Sequence, residues 1–415
     1  NPQHTHMNPF ADIITHDWKI VVRVIRRDKP DGYLVHVNPL TRQLESKMDI
    51  EDLHKLHPRA PKDSNGKPTK ISNGNEEQVW LDGQIIYYPI RLAKFTTVHK
   101  CVAQGTHVWT DKGLQDIDSV KVGQYVNTGK QYSKILDVIY SEHDAYRIET
   151  VSGFELVCSG EHLLKLSTGD FIPAKELDPC KHTLHLDKTC QIPTLTTKEI
   201  TPDLAWLLGV LVGDGSYTEQ RDGQLHICSY HPWIQSESIR ILAAHNVNAK
   251  LRADGKGVWA CNKAFRQTLF DLGLTYDTAL NKHIPLVVTS DKKLLCKFLQ
   301  GLFDTDGHVG RSYVLFATSS ETLGEQVHLC LEQLGMRAKR TGFYNQDNPY
   351  YQITVTAESI ELFKDLINFT RPERKEKLAA LKPNRIINYR GSIEKIKKVT
   401  ELSTKLMMVD LTIES

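Results

Sequence analysis

The sequence has no uninterrupted apolar run of about 18 residues, the length a membrane-spanning helix needs. It has no basic and then apolar opening of the kind that directs secretion, since it begins Asn1-Pro-Gln-His-Thr-His6. Its eight cysteines form no Cys-x-x-Cys pair, so the usual zinc spacing is missing, and a chain of 415 residues needs no disulfide framework. It also has little net charge: 52 basic against 50 acidic side chains leave +2, which neither demands nor excludes a nucleic-acid partner. Hydrophobic residues at 40% and charged residues at 25% exclude a wholly disordered or collagen-like chain. The length predicts two or three domains. The expectation is an intracellular protein, in cytoplasm or nucleus, with reduced thiols and no membrane contact. The first residue is not Met, and Leu411-Thr-Ile-Glu-Ser415 reads as a strand cut short, so a fragment is expected at both ends.

What charge there is gathers late. Between Arg371 and Lys398 ten Lys/Arg face three Glu, a local +7. Two readings are open: a solvated helical face, or a surface for phosphates.

The texture changes along the chain. Residues 1–100 read as mixed strands and loops: a strand from Lys19, another from Tyr33, a Pro/Lys/Gly-rich loop from Pro58 to Gly74, and a strand at Gln84–Leu92 whose internal proline predicts an edge or a break. From Cys101 to about Lys188, short alternating strands and Gly-containing turns predict an all-β module. Residues 203–370 hold an internal duplication. Leu204-Ala-Trp-Leu-Leu-Gly-Val-Leu-Val-Gly-Asp-Gly215 returns as Cys296-Lys-Phe-Leu-Gln-Gly-Leu-Phe-Asp-Thr-Asp-Gly307, so Asp214 and Asp306 stand 92 residues apart. The segments downstream of each copy also match, predicting two α-β-β-α-β-β-α units, a pseudo-dimer within one chain.

Gly209 and Gly301 fall inside their predicted helices, where glycine is unfavourable by about 1 kcal/mol. Their use twice in register predicts a close helix–helix approach, and Gly215 and Gly307 suit helix C-caps. Such packing sets Asp214 and Asp306 side by side, at the negative ends of two helix dipoles. A divalent cation resolves that conflict, and hard oxygen donors point to magnesium. The plainer reading is two capped core helices with solvated acids.

These two segments resemble the LAGLIDADG motif of homing endonucleases. The second copy is very close. The first departs at Val212, where the family pattern has an acid. The resemblance implies metal-dependent double-strand DNA cleavage by a pseudo-two-fold αββαββα domain whose sheets saddle the major groove. It carries the metal-ligand role onto Asp214 and Asp306, with Mg2+ as cofactor. Asn281-Lys-His-Ile-Pro285 looks like the Lys-x-Ile-Pro element of such domains, which makes Lys282 a candidate base or charge stabiliser, with Lys339 a weaker one.

Cys101-Val-Ala-Gln-Gly-Thr-His-Val-Trp109 resembles the N-terminal splicing block of inteins. Glu155-Leu-Val-Cys-Ser-Gly-Glu-His162 resembles the block whose signature is Thr-x-x-His, with Ser159 in the Thr place and His162 matching. Leu406-Met-Met-Val-Asp-Leu-Thr-Ile-Glu414 resembles a later block through Asp410. The chemistry suits these residues: a thiol can attack the carbonyl of Lys100 and turn an amide into a thioester, and an imidazole can protonate the leaving nitrogen. An intein ends in His-Asn before a Ser, Thr or Cys. This chain stops at Ser415 before such a pair and is not expected to complete splicing in cis.

Before Cys101, Thr97-Val-His-Lys100 resembles a motif of superfamily-one helicases, so residues 1–100 read as a host segment. The expected fold is α+β: an all-β, Hint-type splicing module (101–200, returning at 395–415) interrupted by a LAGLIDADG endonuclease domain (201–394). The expected function is an intein precursor that shifts an acyl group at Cys101 and cuts DNA. The candidate catalytic residues are Cys101, Ser159, His162, Asp410, Asp214, Asp306 and Lys282. The partners are double-stranded DNA and the chain's own flanks, and the state is a monomer. Two alternatives are a non-splicing endonuclease with a decayed splicing module, and a binding or maturation protein that holds nucleic acid without cutting.

Overall fold

The computed structural model describes residues 20–26, 29–37, 44–48, 76–81, 84–89, 101–129, 131–186, 192, 200–216, 223–275, 278–345, 348–382 and 393–414, those before residue 90 and positions 345 and 348 by backbone alone. The Pro58–Gly74 loop, the Thr97–Lys100 motif, Arg385 and Arg390 lie outside the described residues. The chain divides into two units, Asn1–Thr97 and Val98–Ser415.

The first unit holds an antiparallel sheet of β1 (Ile20–Arg26), β2 (Lys29–Val37), β3 (Leu44–Met48), β4 (Glu76–Leu81) and β5 (Gln84–Pro89), in the order β3-β2-β1-β4-β5. β5 is an edge strand that ends at its proline, where a missing N–H breaks no ladder.

The second unit opens with short strands: β6 (Val102–Ala103), β7 (His107–Thr110), β8 (Gly113–Asp116), β9 (Tyr125–Asn127), the long β10 (Tyr132–Thr150), β11 (Glu155–Ser159), β12 (Leu163–Lys165), β13 (Phe171–Pro173) and β14 (Thr183–His185). The duplicated region comes next. Its first copy runs α1 (Pro202–Asp214), β15 (Gly215–Ser216), β16 (Gln224–Ile227), α2 (Pro232–Ala244), β17 (Ala249–Leu251), β18 (Val258–Cys261) and α3 (Lys263–Asp271). After a turn of helix, α4 (Leu286–Thr289), the second copy runs α5 (Lys292–Asp306), β19 (Gly307–Val309), β20 (Val314–Thr318), α6 (Glu321–Gln333), β21 (Ala338–Asn345), β22 (Asn348–Val355) and α7 (Ile360–Leu366). Each copy has a four-stranded antiparallel sheet, ordered β15-β16-β18-β17 and β19-β20-β22-β21. α8 (Pro372–Ala380) leads to the last strand, β23 (Ile393–Ile413).

β23 returns to the opening strands. It pairs antiparallel with β10 from Ile135↔Ile413 to Thr150↔Ile396, and also with β6 and β14. One eight-stranded sheet thus joins residues as far apart in sequence as Val102 and Val409, with both of them and Ile148, Cys158 and Ile396 in its core.

The helices start where side chains can satisfy their free N–H groups. The Thr201 hydroxyl accepts from Leu204 N–H at 3.1 Å ahead of Pro202, and the Asp291 carboxylate accepts from Lys293 and Leu294 N–H at 2.8 and 2.9 Å. Every residue from Leu204 to Val212 is buried, the pattern of a helix covered on all sides. Among the described residues no helix is long and apolar enough to cross a membrane.

Polar groups join the β-rich part to the duplicated part. The Glu394 side chain, 1% exposed, accepts from Ser152 N–H at 3.0 Å and Ser152 O–H at 2.8 Å, and pairs with the Arg337 guanidinium. Leu114 N–H donates to the Thr289 hydroxyl at 2.9 Å. Gly113 there has φ +113°, and a Cβ on it would lie 2.2 Å from that same hydroxyl oxygen.

Candidate active sites

α1 and α5 cross at their mid-helix glycines. A Cβ on Gly209 would lie 2.0 Å from the Phe298 carbonyl oxygen, and one on Gly301 would lie 2.1 Å from that of Trp206. Each glycine therefore receives the other helix's backbone. Lower down, a Cβ on Gly213 would lie 2.1 Å from Thr305 Oγ1 and 3.2 Å from Asp306 Oδ2, so the two helix ends stay close as far as the acids.

The closing glycines act differently from a left-handed cap. Gly215 and Gly307 have φ of −73° and −81° and lead directly into strands. They are needed because a Cβ would lie 2.2 Å from the Leu211 carbonyl oxygen or 2.4 Å from that of Phe303.

Asp214 and Asp306 share this end with Lys282. The Lys282 ammonium donates to the Gly213 carbonyl at 2.5 Å, and its own carbonyl accepts from the Ser320 hydroxyl at 2.6 Å. Burial raises the Asp214 carboxyl, which the Ser229 hydroxyl and the Lys282, Arg374 and Arg371 charges partly oppose. Asp306 is open to solvent on one side yet crowded by protein on the others. That crowding, with the Asp214 charge adding to it, pushes its pKa up to about 6 against the pull of Lys282 and Arg374. Burial lowers the Lys282 ammonium, while both acids hold it up. Two carboxylates that resist charging together, one of them open to solvent, fit a divalent cation that completes its shell with water and phosphate. Lys339 is exposed on β21.

Three further residues at this end were not among the site candidates read from the sequence. Asp304 is fully buried and accepts from Trp206 Nε1–H at 2.9 Å, Thr370 N–H at 3.0 Å and the Thr370 hydroxyl. The Arg371 side chain donates to the Asp304 carbonyl at 3.1 Å, and Arg374 donates to the Phe303, Asp304 and Thr305 carbonyls at 2.7–3.3 Å. The two arginines thus close the C-terminal end of α5 with cations where its dipole is negative. Burial, with the Arg371 charge adding, pushes the Arg374 guanidinium down to about 10.

The other candidates meet on the eight-stranded sheet. Ser159 N–H donates to the Cys101 carbonyl at 3.0 Å, and His162 N–H donates to the Ser159 carbonyl at 3.0 Å. Val102 pairs with Cys158 on one side and Val409 on the other, which brings Asp410 within electrostatic reach of Cys101. Cys101 is fully buried. Burial raises its thiol, Asp410 raises it further, and the Ser141 hydroxyl, 3.8 Å from Sγ, lowers it. Ser141 Oγ in turn lies 2.8 Å from His143 Nε2. The neighbouring Cys158 has burial alone acting on it and is pushed up to about 12, an inert core thiol.

Residues 293–368 match the LAGLIDADG-like domain family. The match to this domain spans the second copy, from α5 to the end of α7. The chain is 25% identical over 286 residues to the replication factor C small subunit of Thermococcus kodakarensis, an alignment covering 66% of this chain and 32% of that one. It therefore spans about a third of that relative's length. The gp41-1 intein crystal structure aligns at 27% identity over 22% of this chain and 70% of its own, with a TM-score of 0.20. I-DmoI in complex with DNA and Mn aligns at 16% identity over 40% and 96%, with a TM-score of 0.32. I-WcaI bound to its DNA recognition sequence aligns at 17% over 44% and 88%, with a TM-score of 0.30.

Proposed function

We propose that this chain is an intein precursor: residues 201–394 cut double-stranded DNA, and 101–200 with 395–415 form the splicing module. Residues 1–100 are then the host flank, read as helicase-like. The observation that carries the reading is the meeting of Asp214 and Asp306 at the ends of two glycine-crossed helices, beside the half-buried Lys282.

In this reading Asp214 and Asp306 hold Mg2+, which supplies charge stabilisation for the attacking and leaving oxygens when bound. Lys282, anchored on the Gly213 carbonyl, faces the developing negative charge or takes a proton from the attacking water. The four-stranded sheets of the two copies lie along the DNA as a pseudo-symmetric pair. In the splicing module, the Cys101 thiol attacks the preceding carbonyl, His162 protonates the leaving nitrogen, and Ser159 and Asp410 frame the site.

Cleavage is tested on a pool of plasmids with randomised inserts in Mg2+. The parent should linearise a subset, while Asp306→Asn and Asp214→Asn should not, with duplex binding retained. Calorimetric Mg2+ binding to the DNA-free chain gives a second readout, which each substitution should abolish. Undiminished cutting by Asp306→Asn would falsify the assignment. The rival reading, an endonuclease whose splicing module has decayed, requires Cys101 to be inert toward added thiols.

A further inference from the structure

We propose that Ser141 and His143 form a proton relay that takes the thiol proton of Cys101 as the thioester forms. The inference rests on the splicing reading and adds two residues to that site. Period-two alternation puts Ser141 and His143 on one face of β10, just before the irregularity between Asp144 and Tyr146 in its pairing with β23. Ala145, fully buried, packs with Cys101 and Met408. Ser141 and His143 pair with Met408 and Leu406 of β23, which fixes both against the strand that also carries Asp410. The contacts then run in sequence: Cys101 Sγ to Ser141 Oγ at 3.8 Å, and Ser141 Oγ to His143 Nε2 at 2.8 Å.

The site needs such a device. Burial and the Asp410 charge both disfavour a free thiolate at Cys101. The proton must leave while sulfur attacks, into a group already in contact with it. Ser141 is the side chain that does so on the β10 side. His143 is half-buried, so its ring exchanges protons with water once it is charged. Beside it in the strands stand Glu142 and Asp144 on β10, both exposed, and Lys405 on β23, which lies 4.0 Å from Asp144. Asp410 stands on the Cys101 side.

The step balances. The Sγ–C bond forms at the carbonyl preceding Cys101 and the C–N bond breaks. The thiol proton passes to Ser141 Oγ as the Ser141 hydroxyl proton passes to His143 Nε2, which requires the tautomer protonated on Nδ1. The leaving nitrogen takes a proton from His162. One proton is gained at His143 and one lost at His162, and no redox partner is involved.

The test uses the 415-residue chain with dithiothreitol, following by mass spectrometry the fragment that ends at Lys100, from pH 5.5 to 9.5. The parent rate should pass through a maximum with pH, because the step needs His143 neutral to accept a proton and His162 charged to give one. Ser141→Ala and His143→Gln should be roughly 100-fold slower at pH 7, the low end for general-base loss. Both should lose the rising limb of that profile, which belongs to the relay. Ser141→Thr should keep most of the rate. Added imidazole should restore part of it to His143→Gly and none to Ser141→Ala. Circular dichroism spectra and melting curves matching the parent exclude misfolding as the cause. If cleavage depends on Cys101 but the Ser141 and His143 variants keep the parent's rate and pH profile, the relay is wrong and the splicing reading stands. If cleavage persists in Cys101→Ala, or the parent is inert throughout, the splicing reading falls and the relay with it.

Discussion

The indole N–H of Trp206, on α1, donates to the buried Asp304 carboxylate on α5 at 2.9 Å. The equivalent positions in the opposite copies are Phe298 and Val212, both apolar and buried. Donor and acceptor are therefore present together on one diagonal of the helix pair and absent together on the other. The acid missing from the first copy is the partner of an N–H that is also missing.

Removing that N–H leaves an Asp304 oxygen short of a donor. Trp206→Phe should cost about 1–3 kcal/mol, the range for breaking a buried hydrogen bond to a charged group. Asp304→Val should cost more, because it also strands the Thr370 and Arg371 N–H groups. Urea unfolding of the three proteins measures both, and equal midpoints would refute the pairing argument.

Gly209→Ala and Gly301→Ala each drive a methyl group into a carbonyl oxygen of the facing helix, at 2.0 and 2.1 Å if nothing moves. The helices must separate, at a cost of about 1–3 kcal/mol or more for overpacking. Asp214 and Asp306 separate with them. Mg2+ binding should weaken in both variants even where thermal melts show them folded, and calorimetry at fixed temperature reads this directly.

How far the sequence disclosed this arrangement depends on the kind of signal. Gly209 and Gly301 were legible because glycine inside an apolar helix is locally unfavourable, and a second instance 92 residues on points to a shared tertiary cause. The meeting of Asp214 and Asp306 was implied by the same repeat. Gly215 and Gly307 were legible as special, but their reason was not: a steric clash with a carbonyl one turn back looks the same in sequence as a left-handed cap. Ser141 and His143 could not be found, since a polar pair at i and i+2 is ordinary alternation in a strand. Their meaning comes from Cys101, 40 residues earlier, which only the fold brings near. Arg371 and Arg374 were counted with a basic stretch because charge is visible in sequence and burial is not.

Stability should respond to pH through the acid pair. Asp306 titrates near 6 in the fold and near 3.9 when unfolded, and Asp214 shifts in the same direction. Between those values the folded chain binds protons that the unfolded chain does not. The metal-free protein should therefore be most stable below about pH 4 as far as these groups decide, losing that contribution as pH rises through 6. Solvent access to Asp306 screens and reduces the effect. Melting curves of Asp306→Asn should show a shallower decline over pH 4–6.5. Mg2+ at pH 7 should raise the melting temperature of the parent and not of this variant. A parent slope unchanged by the substitution would remove the pair from the account.

The basic stretch divides by what its side chains touch. Arg371 is 4% exposed and Arg374 half-buried, both spent on the carbonyls that end α5, whereas Lys375, Lys377, Lys382, Lys395, Lys397 and Lys398 are exposed. Phosphate contact along this stretch is expected from the lysines. Lys375→Gln with Lys377→Gln should leave the melting temperature within a degree or two, since exposed substitutions shift stability by about 0.5 kcal/mol or less. The pair should flatten the plot of log affinity against log salt by roughly 0.9 for each phosphate no longer neutralised. Arg374→Met should do the reverse. It uncaps three carbonyls at 2.7–3.3 Å and should lower the melting temperature. Its salt slope should stay the same, because a guanidinium that faces protein releases no counterion from DNA. Binding titrations at four salt concentrations, paired with melts of the same preparations, separate the two roles. A salt slope that falls in Arg374→Met and not in the lysine pair would reverse the assignment.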